Sequence, residues 1–408
     1  MSARVKPSID NAFSPASLGD LRLRNRLMRT AAFEGMCPGG VPSAALIGHH
    51  REMAAGGLGL TTVAYCSVSP VGRTYGHQLL MTEENLPAFR LLTEAIHSEG
   101  AAASVQLGHA GYFASKKAIG ERPLGPSRVF NLYGLCYPRV MTEADIEAFV
   151  EDSALAAGRA REAGFDALEL HFGHGYLVSQ FLSPFTNRRG DKWGGSLENR
   201  LRLPLEVLRR VRACLPPGMP VILKINLTDG FSRGLQPDEA LTAAVRFEAE
   251  GATALVLSGG FVSKTPFYML RGNVPTREMV KVQQDAIRKV GLTLFGRIFV
   301  RRYPFEELFF LEVAKKVRAE TRLPLVLVGG VCSREGVRRG LEAGFDFLAL
   351  GRALIRDPQF PRRLERGEID ASDCDHCNRC IAEMDKDGVR CVCPPEGAKT
   401  LPSDEGSP

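Results

Sequence analysis

Short apolar runs alternate with helix-period stretches along almost the whole chain. Eight runs read as strands: residues 27–32, 60–65, 102–106, 167–171, 221–226, 254–258, 325–328 and 347–350. Helical patterns separate them, at roughly 43–55, 86–99, 143–164, 197–213, 237–250, 304–320 and 334–343. Eight strands alternating with helical patterns almost throughout predict an α/β protein with a parallel sheet closed into a (β/α)8 TIM barrel.

The stretch 143–164 shows how an element is read. Thr142 suits the N-cap, and Asp145 three residues later completes a capping-box pattern. Ile146, Phe149, Val150, Ala157 and Ala160 then fall near helical spacing and share one face. Gly158 is tolerated at a small cost. Gly164 is the expected stop, because glycine accepts the left-handed backbone there.

Two long segments break the alternation. Residues 108–140 are Gly/Pro-rich and follow the third strand; residues 259–303 follow the sixth and run into the basic-aromatic RIFVRRYPF. Both leave the C-terminal ends of strands, the face where barrel enzymes build their sites. The barrel is expected over residues 1–367. A Cys-rich extension follows over 368–408, ending in a Pro/Gly/acidic tail expected to be mobile.

Composition narrows the classes. The 408 residues are 44% hydrophobic and 24% charged, an ordinary globular balance. No apolar run approaches the ~20 residues of a membrane span, and MSARVKPSID has no secretory h-region, so a cytoplasmic protein is expected. A net charge of +6 is modest and does not argue for nucleic acid. The expected partner is a small-molecule substrate; a homo-oligomer is compatible with the sequence but not readable from it.

The densest chemistry lies at the end of the fourth strand. His171, His174 and Tyr176 put two imidazoles and a phenol within six residues. Imidazoles can hold a substrate oxygen, and a phenol can pass on a proton when charge builds on a neighbouring carbon. The rival is zinc held by His171, His174 and Glu169, which shares strand parity with His171. Lys224 occupies the fifth strand, where parity puts Ile222, Lys224 and Asn226 on one face. An interior lysine is paired or shifted in pKa. Its readings are a Schiff base, a partner for an anionic cofactor ring, or an ion pair with Glu169. Gln106 ends the third strand, where its amide can pair with a planar heterocycle; His109 beside it reads equally well as structural. Gly329-Gly330 and Gly351-Arg352 follow strands seven and eight, the usual phosphate site of a barrel. Glycine admits close backbone approach there, and Arg352 adds a charged clamp.

Of ten cysteines, five crowd the extension as Cys374-x2-Cys377-x2-Cys380-x10-Cys391-x-Cys393. The opening C-x2-C-x2-C run is one that holds iron–sulfur clusters, with a fourth thiolate from elsewhere, here assigned to Cys391. A zinc site of four thiolates and a set of free thiols are the alternatives. His376 lies within the run as a ligand or as a neighbour of the ligands.

Together these residues resemble the old yellow enzyme family of FMN-dependent NAD(P)H:flavin oxidoreductases. The most specific stretch runs from His171 through FLSPFTNRRGDKWGGSLENR; LRNRLMRTAAFEGM, GGLGLTTVA, QLGHAG, LVGGV and FDFLALGRALIRDP support it. The likeness covers residues 10–366, and the cysteines resemble the branch of 2,4-dienoyl-CoA reductase and trimethylamine dehydrogenase, whose barrels carry a [4Fe–4S] cluster. The resemblance implies that His171 and His174 hold a substrate carbonyl and Tyr176 donates the proton. It implies that Gln106 and Lys224 meet the flavin's pyrimidine side, that Ala64 lies against the flavin, and that Gly329, Gly330, Gly351 and Arg352 hold its phosphate. NAD(P)H is the implied reductant, an activated C=C bond the implied acceptor, and [4Fe–4S], or failing it Zn, the implied occupant of the cysteines. Electron export through the cluster, with dehydrogenation or demethylation of the substrate, is the rival activity; a Schiff-base lyase using Lys224 and a metal-stabilised binding module are more distant. The chain departs from the family at Ala31-Ala32-Phe33-Glu34, where a Thr or Cys usually stands near the flavin. A chain ending at 408 is expected to lack the added nucleotide-binding domains of the cluster-bearing relatives, so a cluster would be structural or serve an external partner.

Overall fold

A computed structural model describes residues 9–394 apart from 133, 284 and 387. The expected mobile tail beyond 394 lies outside the described residues. Eight parallel strands close into a barrel: β1 Leu27–Arg29, β2 Leu60–Ser67, β3 Ala102–Gly108, β4 Ala167–Phe172, β5 Val221–Asn226, β6 Ala254–Ser258, β7 Leu325–Val328 and β8 Phe347–Leu350. β8 pairs with β1 through Leu348 and Leu27, which closes the ring. The (β/α)8 expectation therefore holds.

The barrel interior divides along its length. Near the strand N-termini it is apolar, formed by Met28, Leu60, Ala167, Ile222, Ala254 and Phe347. Leu18 and Leu23, from the N-terminal hairpin Ala16–Leu18/Leu21–Leu23, join that cluster and plug the bottom. Two and four residues further along the same strand faces stand Glu169 and His171 on β4, Lys224 on β5 and Ser258 on β6. Successive side chains alternate across a strand, so one parity that is apolar below becomes polar above. A second, larger apolar layer lies between the strands and the outer helices.

Helix Glu143–Glu162 starts with the predicted capping box: the Thr142 hydroxyl accepts from Asp145 N, and the Asp145 carboxylate accepts from Thr142 N. Gly164 follows at φ 88° as the left-handed stop.

Four expectations change. β1 ends at Arg29 rather than residue 32, because the Arg29 side chain turns inward to bond Thr62 O and Ala32 O and to pair with Glu34. The helix expected over 304–320 starts at Leu311, since Leu308 takes a left-handed φ of 61°. Residues 259–303, expected to be irregular, contain helices Thr276–Val282 and Ala286–Phe299. Residues 108–140 hold a short pairing of Leu124–Gly125 with Arg139–Val140.

The cysteine segment docks on the C-terminal face of the barrel. Ser372 N donates to Cys332 O beyond β7, and Val389 N donates to Glu34 O beyond β1. Among the described residues no helix is long and apolar enough to cross a membrane.

Candidate active site

A cavity of about 700 Å³ opens at the C-terminal ends of the strands. It is lined by Gln106, His171, His174, Tyr176, Lys224, Gly329, Gly330, Gly351 and Arg352. Nine of the ten non-metal site residues read from the sequence thus meet in one space. The exception is Ala64, which does not line it. The β2–β3 register shifts between Val63 and Cys66, beside the place the resemblance gives Ala64. Tyr65 lines the cavity instead, while Ala64 N donates to Glu34 Oε1 at 3.1 Å.

β4 and β5 run side by side with His171 opposite Lys224. Lys224 Nζ stands 3.1 Å from Glu169 Oε1 and donates to Thr30 Oγ1 at 3.1 Å and Ala31 O at 3.3 Å. Gln106 Nε2 donates to the same Glu169 oxygen at 2.6 Å. Lys224 and Glu169 are both almost fully buried. Burial holds the Lys224 ammonium below its ordinary pKa, against the opposing pull of Glu169. Because Glu169 is committed to Lys224 and Gln106, the zinc arrangement with His171 and His174 loses its carboxylate. Both the ion pair and the lining position of Lys224 are real, so those two readings coexist.

His174 sits at a left-handed φ of 61°, with its N–H donating to Asn226 Oδ1 at 2.9 Å and its Nε2 2.7 Å from Ser258 Oγ. Its ring lies 5.0 Å from that of His171, which lies 4.4 Å from Tyr176. Tyr65 and Phe113 pack on the other sides of the Tyr176 ring, at 5.0 and 6.0 Å. His171 Nδ1 is buried and has no hydrogen-bond partner among the described residues. A buried polar atom without a partner calls for an explanation, and a role in binding a ligand is one. Burial, and then Lys224, push His174 down to about 3; burial, and then His174 and Lys224, push His171 well below its ordinary value. Both shifts favour the neutral imidazole near pH 7. The rate of the acceptor half-reaction is expected to show no histidine inflection between about pH 5 and 8; a pH profile of that half-reaction checks it.

His109, left open from sequence, is structural: Gly111 N donates to its Nδ1 at 2.9 Å. Sequence reading missed a second buried network, Arg29–Glu34–His50–Thr61, at the Ala31-Ala32-Phe33-Glu34 departure. Arg29 stands 2.8 Å from Glu34, and His50 bridges Glu34 and Thr61. Burial raises the Glu34 carboxyl, with Arg29 opposing. It also missed the helix Ala286–Phe299 as a wall of the cavity, which Leu292 and Gly296 help to line.

The two glycines beyond β7 form a tight cradle, while Gly351 beyond β8 lines the same cavity with ordinary space around it. Gly330 has a φ of 85°, and a Cβ there would sit 2.9 Å from Phe305; only glycine combines that backbone with that approach. Arg352 lines the same end.

A second cavity of about 620 Å³ lies alongside and is lined by all five extension cysteines. Cys377 Sγ is 3.5 Å from Cys393 Sγ, and Asp375 joins them within 4.8 Å. Cys391, the fourth thiolate of the sequence reading, meets the Arg356 guanidinium at 3.5 Å. His376 faces the first cavity, stacked on Phe305. Arg352 and Cys380 line both cavities.

A closed barrel with a buried lysine–amide pair, a glycine cradle and an imidazole–phenol cluster over one cavity defines the class of flavin-binding barrel oxidoreductases. Residues 11–265 match the NADH:flavin oxidoreductase / NADH oxidase family, and the chain belongs to it. The resemblance to the old yellow enzymes therefore holds, as does flavin-dependent NAD(P)H oxidoreduction. The 4,4'-dithiodibutanoate disulfide reductase of Rhodococcus erythropolis is 41% identical over 393 residues, 96% of each chain. An NADH oxidase of Thermoanaerobacter brockii is 30% identical over 94% of this chain, which spans 55% of that relative's length. Among solved structures, histamine dehydrogenase from Rhizobium sp. 4-9 gives a TM-score of 0.78 at 24% identity, over 94% of this chain and 52% of its own. An old yellow enzyme homologue from Zymomonas mobilis gives 0.71 at 22%, over 90% and 95%. At these identities the structural likeness speaks for the fold.

Proposed function

We propose that the chain is an FMN-dependent ene-reductase, using NAD(P)H to reduce a C=C bond conjugated to a carbonyl or carboxylate. The observation that carries this is the convergence of neutral His171 and His174 with Tyr176 on one cavity. Bound FMN supplies hydride chemistry that no side chain performs. Gln106 and Lys224 would hold its pyrimidine edge, and Gly329, Gly330, Gly351 and Arg352 its phosphate. The two imidazoles donate hydrogen bonds to the acceptor's oxygen and stabilise the negative charge that grows there. Tyr176 delivers a proton to the α-carbon as hydride reaches the β-carbon. The balance is alkene + NAD(P)H + H⁺ giving the saturated product + NAD(P)⁺.

The Rhodococcus relative supports a second reading, reduction of a disulfide to two thiols by NAD(P)H and a proton. Anaerobic turnover with 2-cyclohexenone and, separately, 4,4'-dithiodibutanoate decides between them. Faster NAD(P)H oxidation with the enone, matched by saturated ketone, supports the first; turnover with the disulfide alone selects the second.

For the cysteine cavity we propose a metal centre, an iron–sulfur cluster before zinc, held by Cys374, Cys377, Cys380 and Cys391, with Cys393, 3.5 Å from Cys377, as the rival fourth thiolate. The Cys391 thiol lies near those of Cys374 and Cys380, and the Arg356 N–H that meets its sulfur would favour the thiolate. Metal analysis of anaerobically purified variants is expected to show loss with Cys377→Ser and Cys391→Ser and retention with Cys393→Ser. Loss with Cys393→Ser and retention with Cys391→Ser would make Cys393 the fourth ligand instead.

A further inference from the structure

Asn378, between Cys377 and Cys380, is 1% exposed and has a left-handed φ of 61°. All its side-chain polar atoms are committed. Its Oδ1 accepts from Arg352 at 2.7 Å, and its Nδ2 donates to Leu270 O at 2.6 Å and Asn273 O at 2.8 Å. Arg352 donates from the same nitrogen to Arg271 O at 2.7 Å. The neighbouring backbone is fastened too: Asn273 N donates to His376 O at 3.1 Å. The His376 ring stacks on Phe305 at 3.4 Å, and the Arg352 guanidinium lies 5.6 Å from that same ring. One residue of the cysteine segment thus ties the loop beyond β6 to the arginine beyond β8.

We propose that the cysteine segment is a working part of the flavin site, with Asn378 positioning Arg352 for the FMN phosphate. This rests on the phosphate reading given above. A guanidinium has five N–H donors in a rigid plane. Fixing one nitrogen on Asn378 and Arg271 O leaves the others to meet an anion, with the side chain already ordered before binding. The arrangement also selects a cavity. Arg352 borders both the flavin space and the cysteine space, and without Asn378 its long stem is free to swing toward the thiols.

The test compares FMN with riboflavin, which lacks the phosphate, by titrating flavin-stripped protein and reading fluorescence quenching. Asn378→Ala is expected to lower the FMN-over-riboflavin preference about tenfold, the scale of one hydrogen bond to a charged group. Asn378→Gly, which accepts the left-handed backbone without strain, should give the same result. Arg352→Ala should lose at least as much, and the Asn378→Ala/Arg352→Ala pair no more than Arg352→Ala alone. An unchanged preference in both Asn378 variants overturns the proposal. Equal weakening of both flavins, or additive losses in the double variant, also overturns it, because Asn378 would then act on structure or independently of Arg352. A preference unmoved by Arg352→Ala removes the phosphate reading itself.

Discussion

Tyr176→Phe is expected to slow reduction of an activated alkene by about 10²–10⁴-fold, the usual worth of a positioned acid. The ring is 7% exposed and packed between His171, Tyr65 and Phe113, so phenylalanine keeps the packing and removes only the hydroxyl. Reduction of the protein by NAD(P)H should be unaffected, because that step needs no proton on carbon. Stopped-flow measurement of the two half-reactions separates them. A disulfide acceptor adds a further contrast. Its products are thiols, whose sulfur atoms take protons readily from water, so Tyr176→Phe should barely slow it. Equal slowing of both half-reactions would assign Tyr176 to the architecture of the cavity instead.

Lys224→Met should destabilise the fold by about 3–5 kcal/mol, the usual penalty for stranding one member of a buried ion pair. Glu169 would keep the Gln106 amide but lose its only cation within 4 Å among the described residues. The double variant Lys224→Met/Glu169→Gln, which strands no charge, should recover most of the loss; urea titration of each variant checks this. On the proposed placement of Lys224 against the flavin ring, both variants should also lower the reduction potential of bound flavin. A Lys224→Met protein as stable as the parent would mean that the pair is not buried as described.

The barrel was legible because most of its strands are short, largely apolar runs set between helical patterns. The polar layer was legible because parity carries along a regular strand: counting by twos from Ala167 reaches Glu169 and His171, and from Ile222 reaches Lys224. Ala64, placed only by the resemblance, lies beside a register shift in β2 and does not line the cavity. Contacts made across long sequence separations were not legible at all. Nothing in the neighbourhood of Asn378 points to Leu270, Asn273 or Arg352, and Glu34 meets Arg29, His50 and Ala64 only once the barrel closes. The fourth cysteine had its own difficulty. Cys391 and Cys393 lie two residues apart, so on an extended chain both face the same way, and spacing alone does not choose between them. The helices within 259–303 lack the strand-flanked context by which the others were recognised.

A single anaerobic turnover decides whether this cavity reduces alkenes. Protein with bound FMN is reduced by one equivalent of NAD(P)H and mixed with 2-cyclohexenone, while flavin absorbance and product are followed together. The prediction is return of the oxidised flavin spectrum with one equivalent of saturated ketone, at a rate cut by Tyr176→Phe. Flavin that stays reduced in the presence of the enone, yet is reoxidised at once by 4,4'-dithiodibutanoate, would contradict it.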